Sequence, residues 1–412
     1  MFSAFGMGVM TLLTAGYVYY IEKLRKKRLC FLLMTALLLL LYLAGFAVWS
    51  VYLYGKLWQM DSFLRFCPFG AAFFVLQGIR FVWEIFSGRI AAVPDPFQTA
   101  EYLLFYPRLV MGPVQSYEEH AAMCSRAELC SAHVGSGLGK FILGLSKKVL
   151  LADTIGLAFS ALYRPEYGDI SVVMTWVMLL AFVLQLYFTA AGYADMAKGI
   201  SLCYGFQLPD SYGYPAVSGS LADFGEQWNQ SVVKWCRGCF SPMLHVQKWQ
   251  YVLGMVASWM LLGCWYRPGL QMLFWGIWMG LWIGLDQYLK NKLTRKIPGV
   301  IEGLVFILVT FTGWAVFSAP TLADGIHRLG LLFGGGGRFS QDRDLYFIQS
   351  GGMILLIALY SATGHFASLL EKSQQIPILS KIRGILTLPV QAGLLVLCLA
   401  LIVTQQDTSV LL

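Results

Sequence analysis

Apolar runs close to 20 residues long recur along the whole chain. An α-helix of about 20 residues spans the roughly 30 Å hydrocarbon core of a bilayer while satisfying all its backbone hydrogen bonds internally. Such runs occupy residues 2–20, 29–48, 66–86, 141–163, 172–192, 251–265, 270–288, 300–317, 345–360 and 386–403. The composition agrees with this pattern. At 58% hydrophobic and 13% charged residues, with mean hydropathy +0.63, a chain of 412 residues is not built around one aqueous core. These features predict an all-α polytopic membrane protein with roughly ten transmembrane helices plus re-entrant segments, read as a single domain over residues 1–412. The first run has no basic stretch before it and no small-residue cleavage site after it, so it reads as a retained span.

The formal charge of +8 sits largely in short clusters beside the apolar runs. Lysine and arginine there set orientation, so the charge implies no nucleic-acid partner. Lys23, Arg25, Lys26, Lys27 and Arg28 form the densest cluster, which places that loop in the cytoplasm and the N-terminus outside. Parity then puts Lys290, Lys292, Arg295 and Lys296 on the cytoplasmic side too, where their own charge also puts them. Residues 102–115 are apolar but broken by Pro107, Arg108, Gly112 and Pro113, which predicts a re-entrant segment. Residues 319–344 read as an outer loop.

Nine cysteines are scattered without paired spacing, which argues against a disulfide framework. Cys236 and Cys239 have metal-ligand spacing, but a zinc site needs about four ligands and His245 is the only imidazole nearby. No metal site is expected.

Residues 223–242 concentrate Asp, Glu, Gln, Asn and Trp in a chain that is otherwise mostly apolar. Polar groups in or beside a bilayer are costly, so such a cluster marks a functional site. Trp228 and Trp235 lie seven apart and read as one helical face. Asp195 and Asp223 read as capping groups or as partners of Lys198 and Lys234. Arg108 in the broken segment reads as a ligand of backbone carbonyls or of a partner acid.

Five segments in this order resemble motifs of the membrane-bound O-acyltransferase (MBOAT) family, over about residues 60–330. They are Cys67-Pro-Phe-Gly running on to Gln77, Tyr106-Pro-Arg-Leu-Val-Met-Gly-Pro113, Gln185-Leu-Tyr-Phe-Thr-Ala-Ala-Gly-Tyr-Ala-Asp-Met-Ala197, Asp223-Phe-Gly-Glu-Gln-Trp-Asn229 and Gly313-Trp-Ala-Val-Phe317. The branch they resemble acylates bacterial polysaccharides and teichoic acids. The resemblance implies the MBOAT fold, with tilted helices around a thin, polar-lined centre, in the bacterial cytoplasmic (inner) membrane. It also implies an acyl thioester donor, acyl-CoA or an acyl-carrier protein, on the cytoplasmic side, and an extracytoplasmic glycan or a partner acyl-transfer protein on the other.

Carried over residue by residue, the resemblance makes Asn229 and Tyr266 the catalytic candidates. Asp195, Asp223, Gln227, Trp228, Trp235, Trp265 and Arg108 become the substrate-binding candidates. The chain departs from the family pattern where the chemistry is concentrated. In the hairpin Gly263-Cys-Trp-Tyr266, tyrosine stands where the family has its histidine, and Glu226 and Gln227 replace a basic pair. Imidazole titrates near neutrality, whereas phenol, with a pKa of about 10, does not. Two readings follow. One is an O-acyltransferase working across the membrane, with Asn229 on the inner side and Tyr266 on the outer hairpin. The other is a catalytically inactive relative that binds a lipid, glycan or partner protein.

Overall fold

The computed structural model describes residues 4–21, 28–57, 71–90, 94–159, 162, 170–240, 244–245, 249–267, 269–292, 298–336, 338–365, 368–369 and 376–404. The basic cluster at 23–27, the first four residues of the Cys67 motif, and Arg295 with Lys296 lie outside the described residues. Among the described residues there is no strand.

The described helices gather into two compact units, and the chain enters each of them twice. The first comprises residues 1–138 and 197–209, the second residues 139–196 and 210–412. No linker composition in the sequence announces that division.

In the first unit, helices α1 (Ala4–Tyr19), α2 (Arg28–Leu57) and α3 (Ala71–Phe86) pack with α4 (Pro96–Leu104). Tyr17, Val18, Leu38, Tyr42, Phe81, Val82, Tyr102 and Leu103 lie in its buried core. Two hydroxyl pairs inside this core satisfy each other, Thr14 with Tyr42 at 2.9 Å and Tyr17 with Thr35 at 2.6 Å.

The broken segment then forms two short helices. The first of these is α4; α5 (Tyr106–Met111) follows the break at Phe105, and extended chain leads on to α6 (Tyr117–Ser125). Too short to span, it is held from α3. Gln77 Nε2 donates to the Gln115 carbonyl at 2.8 Å, and Arg80 Nη1 to the Val114 carbonyl at 3.1 Å. Tyr102 Oη also donates to the Gln115 carbonyl at 2.8 Å. Irregular backbone survives in an apolar setting only where protein groups satisfy it.

In the second unit, the chain from α7 (Ser131–Ser146, within this unit from Gly139) runs through a π-helical turn, Lys147–Asp153, into α8 (Thr154–Phe159). The long helix α9 (Val172–Cys203) follows and belongs to this unit as far as Met196. Gly144 and Gly192 meet backbone to backbone where α7 and α9 touch. After the short helices α10 (Leu221–Gln227) and α11 (Gln230–Cys239) comes a close helix pairing.

That pairing joins α12 (Gln250–Tyr266) to α13 (Leu270–Lys292) as a hairpin. Gly276, Gly280 and Gly284 recur every fourth residue on α13 and face α12, so the two backbones approach without side chains between them. A methyl group on Gly280 would sit 2.7 Å from Val256 Cα and 2.8 Å from the Met255 carbonyl oxygen. We therefore expect Gly280→Ala to destabilise the protein by about 1–3 kcal/mol. Gly303→Ala, on the open face of the next helix, should be neutral or stabilising by roughly 0.5–1 kcal/mol. Thermal unfolding of the two variants in detergent checks the contrast, and equal shifts would contradict it.

The remaining helices are α14 (Gly299–Phe317), α15 (Leu322–Leu332), α16 (Asp342–Ala362) and α17 (Pro377–Thr404). Helix α15 occupies much of what the sequence reading took as a loop. Thr321 and Asp324 form a reciprocal cap that starts it. Among the described residues, four helices are long and apolar enough to cross a membrane: Val172–Cys203, Gly299–Phe317, Asp342–Ala362 and Gly384–Thr404. About ten were expected. Each expected run does overlap a helix, but several of these helices, such as α1, α3 and α12, have only 16 or 17 residues. Only 6% of the apolar window in Gly384–Thr404 is buried, an exposure that suits contact with lipid. The protein is a multi-pass membrane protein.

Candidate active site

Helix α10 opens on Ser220, whose Oγ accepts from the Asp223 amide at 3.2 Å and donates to Asp223 Oδ2 at 2.8 Å. Asp223 therefore serves the cap and is exposed. The Ala222 amide donates to Asp286 Oδ2 of α13 at 2.8 Å, which fixes α10 alongside that helix. Helical geometry stops at Trp228, which is extended (φ −87°, ψ 120°). Asn229 follows in the left-handed region (φ 41°, ψ 54°), and it is the sole non-glycine residue with positive φ among those described. Holding an L-residue there costs roughly 1–2 kcal/mol. Such strain at a buried polar residue points to function.

Asn229 is the N-terminal cap of α11, yet its side chain makes no capping bond. It turns instead to α12, where Nδ2 donates to Tyr266 Oη at 3.1 Å. Trp228 Nε1 donates to the same oxygen at 3.0 Å. The Tyr212 ring packs edge-on against Trp228, with centroids 6.1 Å apart. A phenol oxygen has two lone pairs and one proton, so the two N–H donors fill the lone pairs.

Tyr212 is carried to this point by a pinned strap. The Gly213 amide donates to the Gln227 carbonyl at 3.0 Å, and the Tyr214 amide to Gln227 Oε1 at 3.2 Å. Tyr187 Oη of α9 donates to the Gly213 carbonyl at 2.7 Å. Around the polar contact lies a shell of rings. Trp314 sits 5.0 Å from Trp228, Phe317 sits 5.5 Å from Tyr266, and Trp265 and Trp275 pack on Tyr266 at 5.1 and 6.0 Å. Arg267 Nη2 donates to the Ala319 carbonyl at 2.6 Å, tying the hairpin turn to the end of α14.

Several expectations need correcting. Asn229 and Tyr266 are not on opposite sides of a membrane, since they touch. The reason is that α10 runs along α13 from Asp286 and delivers its end to the C-terminal turn of α12. The surroundings of the pair are aromatic rather than polar-lined. Trp228 and Trp235 do not share one helical face, because the left-handed residue between them ends one helix and starts another; Trp235 is half-buried on α11. Gln227 holds backbone.

Asp195, read as a capping group or a partner of Lys198, meets Lys147 of the π-helical turn at 2.6 Å and Lys140 of α7 at 3.1 Å. Arg108 lies in the first unit, buried, with Nη2 donating to the Tyr102 carbonyl at 2.5 Å and its guanidinium 4.8 Å and 5.1 Å from the Tyr102 and Phe105 rings. Thus Asn229, Tyr266, Trp228 and Trp265 come together. Gln227 supports them through the strap, and Asp223 sits at the far end of α10.

Comparison with known proteins bears on this constellation. The model of the MBOAT, membrane-bound O-acyltransferase family, matches residues 89–285, which include Asn229 and Tyr266. This segment is similar to the MBOAT family. Among curated relatives, the probable alginate O-acetylase AlgI of Pseudomonas syringae pv. tomato is 26% identical over 273 residues, covering 65% of this chain and 51% of the relative. The peptidoglycan O-acetyltransferase of Helicobacter pylori is 26% identical over 184 residues, covering 43% of this chain and 35% of the relative. The teichoic acid D-alanyltransferase of Bacillus subtilis is 22% identical over 221 residues, covering 50% of this chain and 56% of the relative. The chain spans about half the length of the curated relatives it matches. All three kinds of relative are named for acyl transfer, in keeping with the resemblance found in the sequence.

Sequence reasoning missed one cluster of the first unit, around His120. This imidazole is buried between the Tyr102 and Phe105 rings at 5.4 and 5.3 Å. Burial, with the Arg108 cation nearby, pushes it down to about 3, so it stays neutral. Burial and the neighbouring Glu101 push the Cys124 thiol up to about 11. The spacing of His120 and Cys124, one helical turn apart, was the available signal.

Proposed function

We propose that the protein is an O-acyltransferase of the bacterial cytoplasmic membrane, passing an acyl group from a cytoplasmic thioester donor to a hydroxyl of an extracytoplasmic glycan. In that reaction the acceptor oxygen bonds to the thioester carbonyl carbon. The carbon–sulfur bond breaks, and the thiol leaves with the proton the hydroxyl gave up. The reading rests on one observation: the strained Asn229 and its neighbour Trp228 aim two N–H donors at a single oxygen position inside the family segment. Donors held in place before reaction stabilise negative charge developing on an oxygen at that point, an effect worth about 10²–10³-fold per donor. The oxygen they meet is the Tyr266 hydroxyl, which would relay the proton.

A second reading is a non-catalytic relative that binds a glycan, lipid or partner acyl-transfer protein. What favours it is that no imidazole is among the described contacts of Asn229 and Tyr266, so the groups there are poor bases near neutrality. Acyl content of the envelope glycans in cells carrying Tyr266→His separates the two. An enzyme with a substituted base should gain at least tenfold in transfer rate, within the roughly 10²–10⁴-fold that general acid–base catalysis supplies. An acyl content that responds neither to Tyr266→His nor to loss of Asn229, alongside a phenotype on deletion, would hand the assignment to the binding reading.

A further inference from the structure

We propose that Glu101, His120 and Cys124 form a binding site for a divalent cation of the zinc type, clamping α4 to α6. The three ligand atoms lie close together. Cys124 Sγ is 3.5 Å from His120 Nε2 and 3.4 Å from Glu101 Oε1, and His120 Nε2 is 3.9 Å from Glu101 Oε1. A tetrahedral zinc ion with sulfur at about 2.3 Å and nitrogen or oxygen at about 2.0–2.1 Å requires ligand–ligand edges of about 3.3–3.6 Å. Two of the three edges already match, and the third closes with a small rotation of Glu101, an exposed side chain free to make it.

The local structure presets this arrangement. His120 and Cys124 are one turn apart on α6, which a reciprocal cap between Ser116 and Glu119 starts. Two aromatic rings fix the His120 imidazole, and Glu101 comes from the last turn of α4. The donor set of thiolate, imidazole and carboxylate suits zinc better than calcium or magnesium, which prefer oxygen alone. Binding releases the Cys124 thiol proton to solvent. Thiolate and carboxylate together carry two negative charges, which balance the ion. Three protein ligands leave the fourth position to water or to an incoming group, as in zinc sites that do chemistry.

The test uses the full-length, tag-free protein purified in detergent, equilibrated with zinc chloride, desalted and analysed for metal. The expected result is about one zinc ion per chain, with one sulfur at about 2.3 Å in the zinc X-ray absorption spectrum. His120→Ala and Cys124→Ser should lose the ion, while Cys130→Ser, an exposed cysteine, should keep it. Glu101→Gln, a surface change that leaves the fold intact, should weaken zinc by at least the roughly 10–100-fold that even an outer-shell partner is worth. Zinc should also protect Cys124 from alkylation, which can be read without any variant. Zinc content near zero in the natural sequence, or unchanged by Cys124→Ser and Glu101→Gln, would overturn the proposal and leave the cluster a hydrogen-bonded triad.

Discussion

Asn229→Ala should lower acyl transfer by about 10²–10³-fold, the effect of removing one preorganised donor from a site of developing charge. It should also lower stability, because alanine enters the left-handed region at φ 41° less readily than asparagine and loses the bond to Tyr266. The two effects separate in Asn229→Gly. Glycine enters that region freely, so this variant should be more stable than Asn229→Ala by roughly 1 kcal/mol. Yet it lacks the amide and should be just as slow. Transfer rates and unfolding temperatures of the two variants, measured side by side, make the test. Wild-type transfer by Asn229→Gly would mean that the amide only fits the turn.

Tyr266→Phe should destabilise the protein by about 2–5 kcal/mol. Removing the hydroxyl strands two buried donors, Trp228 Nε1 and Asn229 Nδ2, and each stranded group costs roughly 1–3 kcal/mol. The ring itself keeps its contacts with Trp275 and Phe317, so lost packing contributes little. Trp228→Phe in the Tyr266→Phe background should restore part of the loss, since deleting both partners of a bond is less damaging than deleting one. A double-mutant cycle in denaturant gives the coupling between them. A Tyr266→Phe variant that unfolds with the wild type would show that the three-residue contact carries no weight.

Apolar run length was enough to locate helices for every expected span, and the motif order was enough to locate the site. The hairpin of α12 and α13 follows from its glycines, and the polar stretch at 223–242 follows from its contrast with the rest. What escaped was everything set by a break or by distance in the chain. The left-handed turn at Asn229 looks in sequence like one more helical residue, so the tryptophans on either side of it were assigned to one face. Helix α15 was read as a loop although Thr321 and Asp324 mark its start. Lys140 and Lys147 reach Asp195 from about 50 residues upstream, a pairing without a local signal. Glu101 is remote in sequence from Cys124 and joins it only because α4 and α6 fold back on each other.

The sequence by itself determined that the chain is helical and membrane-bound and that it carries segments resembling MBOAT motifs, because hydrophobic run length and motif order are local properties. Only the tertiary structure decided that Asn229 and Tyr266 touch. Their contact depends on where α10 lies along α13, and that is fixed by one backbone bond to Asp286 and by close helix packing, neither of which has a local signature.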